Sequence, residues 1–143
     1  MLNRRMKLTA ILVLVFVLLM GMISLAAYEP FKAKLGLFDR LVCMALLPAE
    51  GNFATLKIVR DLQMELAPTE EEAKLAGLEN DLVNGGTIAK DWDIVPEKEI
   101  VFGDIAKSII VKALEKLDQE EKLTQQHFIL YEKFILGDKK EGD

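Results

Sequence analysis

The sequence predicts a mainly helical α+β fold: an N-terminal transmembrane or signal helix, then helices with one small antiparallel β-hairpin, and a C-terminal helical hairpin. Three observations lead there. Leu8–Ala27 carries no charge over twenty residues and follows Arg4, Arg5 and Lys7. Several later stretches repeat apolar residues at helical spacing, and Thr87–Ile94 and Glu99–Phe102 alternate or run apolar in the manner of short strands. The chain divides on this reading into a membrane segment at 1–29, a domain at 30–136 and a charged tail at 137–143 that is expected to be disordered.

The first segment has two readings. A helix rises 1.5 Å per residue, so about 20 residues cross the roughly 30 Å hydrocarbon core of a bilayer. The stretch from Leu8 through Val15 and Leu18 to Ala27 is long enough, with only Thr9 and Ser24 to offer a polar face. A signal peptide also begins with basic residues, and Ser24-Leu25-Ala26 supplies the small residues read at a cleavage site, placing the cut after Ala26 or after Ala27. Length favours the uncleaved anchor, because the apolar part of a signal peptide usually runs about 7–15 residues. The basic cluster before the span orients the N-terminus to the cytoplasm and the domain outside.

After Pro30, a helix is expected from Phe31 or Gly36 to Leu47, with Leu37, Leu41, Met44 and Ala45 inward and Lys34, Asp39 and Arg40 off that face. Asn52 is placed to cap a second helix, Phe53–Leu66, whose apolar face takes Phe53, Leu56, Val59, Leu62 and Met64 or Leu66. Thr69-Glu70-Glu71-Glu72 forms a capping box for a short acidic helix, and Asn84-Gly85-Gly86 signals a turn. Thr87–Ile94, with Ile88, Trp92 and Ile94 on one face, is expected to pair with Glu99–Phe102 as the hairpin. Asp104 caps the helix Ile105–Lys122, with Ile109, Ile110, Ala113, Leu114 and Leu117 buried. Thr124 caps the last helix, Gln125–Leu136, in which Phe128 forms a hydrophobic staple with Leu123 and Gly137 ends the run.

Composition narrows the chemistry. All 23 acidic residues but only 15 of the 18 basic ones lie after residue 27, so that part carries a formal charge of −8. Without a basic stripe interleaved with aromatics, nucleic acid is a poor partner. Anionic lipid head groups are disfavoured as well, except beside Lys32 and Lys34. Cys43, the single cysteine, permits no intrachain disulfide and no thiolate cluster; its apolar neighbours make it a small hydrophobe. His127 is the single histidine, near a helix N-terminus, which excludes a two-histidine metal site. Asp91, Asp93 and Asp104 are the acids that invite a metal-dependent hydrolase reading, yet alternating acids on the wet face of a hairpin need no site. No nucleophile elbow, phosphate-binding loop or Cys-x-x-Cys occurs. The expectation is therefore no enzyme, no catalytic residue, no cofactor and no metal.

The run Leu46-Leu47-Pro48-Ala49-Glu50-Gly51-Asn52-Phe53-Ala54-Thr55-Leu56-Lys57-Ile58-Val59-Arg60, with Lys98-Glu99-Ile100-Val101-Phe102-Gly103 and Leu130-Tyr131-Glu132-Lys133-Phe134, resembles small uncharacterised proteins of phage and prophage genomes. The likeness covers roughly residues 34–136 and rests on capping and packing patterns, so it implies no functional residue. Such proteins usually lack a membrane segment, which opens a further possibility, a domain facing the cytoplasm. The expected function is a membrane-anchored interaction module, an accessory or regulatory protein held in the lipid bilayer and acting on a protein partner. The alternative is a binding protein exported to the periplasm or secreted after cleavage.

Overall fold

A computed structural model describes residues 28–137, together with Asn3, Lys7 and Val13. The membrane-segment positions Leu8, Val15, Leu18, Ala26 and Ala27, and the tail 138–143, lie outside the described residues. Among those described, no helix is long and apolar enough to cross a membrane.

The described chain is mainly helical α+β, as expected, but its strands pair differently. Phe31–Leu35 is a strand, β1, where the start of a helix was expected. Its alternation is plain once seen: Ala33 and Leu35 are buried while Lys32 and Lys34 are exposed. β1 pairs antiparallel with Lys98–Phe102, from Phe31 opposite Phe102 to Leu35 opposite Lys98. Between them come α1 (Leu37–Ala45), α2 (Phe53–Leu66), α3 (Glu70–Ala76), β2 (Glu79–Asn80) and β3 (Thr87–Ile88), which makes Lys98–Phe102 β4. Thr87–Ile94 is thus not the partner of β4. Only Thr87 and Ile88 are extended in a strand, and they pair with Glu79 and Asn80 across the Asn84-Gly85-Gly86 turn. Gly85 and Gly86 take φ of 75° and 101°, a region that favours glycine. The reason for the exchange is Val95, which is buried against Leu37 and Ala76 with Trp92 alongside. That small second core holds 92–95 down as a loop, while Ile88 and Ile94 stay about half exposed.

β4 leads into α4, Asp104–Gln119, which buries Ala106, Ile110 and Leu114 much as the periodicity requires. Its N-cap is Gly103, without a side-chain cap, and not Asp104; the Asp104 carboxylate instead accepts from the Tyr28 hydroxyl. The last helix is not uniform: a 3₁₀ turn at Gln125–His127, an α-helical turn α5 at Phe128–Tyr131 and a π-helical turn at Glu132–Leu136. Phe128 is 57% exposed.

The inner sheet face (Ala33, Leu35, Ile100, Phe102) packs on α1, α2, α4 and the last helix, forming the main core. Phe31, Phe102 and Phe134 form its aromatic centre, with Phe134 4.9 Å from Phe102 and 5.0 Å from Phe31, centroid to centroid. In α2, Asn52 accepts from the Thr55 amide at 2.9 Å as expected, and Val59, Leu62 and Leu66 are buried; Phe53 and Met64 face water. α1 is rotated relative to the sequence reading, burying Leu37, Arg40, Val42 and Cys43. Burial in these surroundings, with Asp39 nearby, pushes the Cys43 thiol up to about 12, which suits a packing role and not a nucleophile.

Candidate functional site

Two ends of the capping network explain how the local sequence sets the surface. At α3, the Thr69 hydroxyl accepts from the Glu72 amide at 3.1 Å and the Glu72 carboxylate accepts from the Thr69 amide at 2.9 Å. The same carboxylate reaches Arg40, whose Nη2 stands 2.9 Å from Glu72 Oε1. Arg40 is fully buried, and none of its guanidinium nitrogens has an aligned hydrogen-bond acceptor among the described residues. The ion pair is therefore its main compensation. Burial works to raise the Glu72 carboxyl, but the Thr69 amide and the Arg40 guanidinium outweigh it and hold the group below its ordinary value. Sequence reading placed Arg40 on the wet face, because spacing ranks residues by polarity and does not see a carboxylate arriving from another helix.

At the last helix, a histidine takes the place usually held by Glu or Gln in a capping box. The Thr124 amide donates to His127 Nδ1 at 3.0 Å, so the neutral ring carries its proton on Nε2; the Thr124 hydroxyl lies 3.2 Å from the same nitrogen. Burial lowers the His127 pKa. Because the unfolded chain then binds a proton that the folded chain resists, stability should fall as pH drops below about 6.5, levelling off under the lowered native value. Denaturation midpoints compared between about pH 7.5 and 5.5 check this, and His127→Gln, which keeps an acceptor at Thr124, should remove this part of the pH dependence.

Beside His127 runs an apolar groove of about 330 Å³ lined by Asp118, Leu123, Thr124, His127, Phe128, Tyr131, Glu132 and Leu136. Tyr131 donates to Asp118 at 2.8 Å, tying the last helix to the end of α4. Phe128 and Leu136 present apolar surface there, 57% and 42% exposed. Leu82 and Val83, at the tip of the β2–β3 hairpin, are also almost fully exposed. The groove is apolar, with a few polar groups at its edge.

The three aspartates are not brought together as a centre. Asp91 accepts from the Asp93 amide at 3.0 Å within the loop before Val95, whereas Asp104 opens α4 and binds Tyr28. No group of three or more His, Cys, Asp or Glu able to hold a metal ion occurs among the described residues.

A second cavity, polar and about 500 Å³, lies where the chain enters and leaves the domain: Glu29, Pro30, Phe31 and Lys32 line it together with Asp104, Lys107, Lys133 and Gly137. Lys107 stands 4.4 Å over the Phe31 ring, and Lys133 donates to the Lys34 carbonyl and lies 3.9 Å from Glu97. The sequence singles out Lys32 but not Lys107 or Lys133, which α4 and the last helix bring beside it. No protein-family model, curated protein or solved structure matches this chain.

Proposed function

We propose that this protein is a membrane-anchored interaction module, an accessory or regulatory protein of phage or prophage type that recruits a protein partner and performs no catalysis of its own. The observation that carries this reading is the apolar groove along the last helix, where Phe128 and Leu136 are exposed at the edge of a structured element. Exposed aromatic and aliphatic side chains in such a groove are the usual anchors of a protein contact. The anchor is supported by the uncharged run Leu8–Ala27 with its basic flank. On this reading residues 8–27 cross the bilayer once, with the N-terminus in the cytoplasm and the domain outside.

The test is a pull-down of the tagged full chain from detergent-solubilised membranes. A partner should be retained by the native chain and lost on Phe128→Glu, while the variant itself stays in the membrane fraction. Retention of the same partner by Phe128→Glu would remove the groove from the reading. Recovery of a soluble chain that starts at Ala27 or Tyr28 would replace the anchor with a cleaved and exported binding protein.

A further inference from the structure

The polar cavity joins three facts that are separate in the sequence. Lys32, Lys107 and Lys133 share it, in a region whose formal charge after residue 27 is −8. Glu29 and Asp104 line it as well, and Asp104 keeps its charge while accepting from the Tyr28 hydroxyl, so the lining lysines exceed the lining carboxylates by one. Two of the three lysines are held in place, Lys107 over Phe31 and Lys133 on the Lys34 carbonyl with Glu97 3.9 Å away, so both are positioned before any ligand arrives.

The third fact is location. Pro30, on the cavity wall, is three residues past Ala27. Fully extended, that is about 10 Å of chain. The interfacial layer on each side of the hydrocarbon core is roughly 5–8 Å thick. A domain tethered this closely keeps its cavity within about a Debye length of the head groups. Gly137 on the same wall places the other end of the domain there too.

We propose that the cavity bounded by Lys32, Lys107 and Lys133 seats the phosphate of an anionic phospholipid, holding the domain against the bilayer in one orientation. Lysine suits this role as a cation with several rotatable donors. The proposal rests on the reading of residues 8–27 as an uncleaved span. Docked this way, the sheet end carrying Phe31 and Phe102 faces the lipid, and the domain is oriented and not merely tethered.

The experiment uses the full chain reconstituted in phosphatidylcholine vesicles with or without phosphatidylglycerol, purified by flotation and then acetylated at lysine, with each site read by mass spectrometry. Phosphatidylglycerol should lower labelling of Lys32, Lys107 and Lys133 severalfold and leave the exposed reference sites Lys57 and Lys116 unchanged. Lys32→Glu, at an exposed strand position, should abolish that protection at Lys107 and Lys133. Equal labelling with and without phosphatidylglycerol in floated vesicles would overturn the proposal while leaving the span intact, and so would protection that persists in Lys32→Glu. Inorganic phosphate that protects the three lysines equally well in phosphatidylcholine vesicles would overturn it in favour of a soluble ligand. A chain that fails to float removes the span and the proposal together.

Discussion

Glu72→Gln should destabilise the fold by about 3–5 kcal/mol, the cost of leaving a buried charge without its counter-ion. Glutamine keeps an acceptor for the Thr69 amide, so the capping box survives and the loss reports on Arg40. Arg40 itself is fully buried, and Glu72 is its ion-pair partner among the described residues. Urea denaturation of the variant checks the magnitude. Arg40→Met together with Glu72→Gln should recover most of the loss, because an apolar side chain of similar reach needs no partner. The pH dependence has a definite sign. The Glu72 carboxyl is held below its ordinary value, so its contribution is fully present above about pH 4.5 and is lost as pH falls through the lowered native value. Glu72→Gln should lack that acid-side step.

Phe134→Ala should cost a similar amount, about 3–5 kcal/mol, through lost burial and the cavity left behind. Phe134 is the ring on which Phe31 from β1 and Phe102 from β4 both lean, so its removal loosens the sheet and the last helix together. A loss of that size in a domain of this length corresponds to a fall in the melting midpoint of about 15 °C or more. Near-ultraviolet circular dichroism, which follows the packing of the rings, is the appropriate readout. Phe128→Ala is the control: its side chain faces water, and the midpoint should move little.

Helix positions were readable from sequence wherever a local cap marks them. Asn52 and the Thr69–Glu72 box are short-range devices, and both occur as read. The stripe Ile110–Leu114 was equally plain, because an amphipathic helix repeats its pattern within a few turns. What failed was pairing over distance. Phe31–Leu35 alternates cleanly, but five residues abutting a helical pattern read as part of it, and spacing alone pairs β4 with its nearest neighbour in sequence. The error at Arg40 has the same origin, since its partner is brought up by α3 and no property of α1 announces it. Of the cavity's lysines only Lys32 is legible in the sequence, because Lys107 and Lys133 come from α4 and the last helix, which tertiary packing brings beside β1.

The pairing of β1 with β4 also sets an order in time. During synthesis β1 emerges early and Phe102 only 71 residues after Phe31, a delay of roughly 4–14 s at ordinary elongation rates. Through that interval the strand nearest the N-terminal segment has no partner for its backbone, while the capped helices α2 and α3, which depend on neighbours in sequence, can already form. The sheet therefore closes only after α1, α2, α3 and the β2–β3 hairpin have been made, and its closure waits on β4. A nascent chain stalled before Phe102 would hold the β1 backbone unpaired, open to another copy's β4.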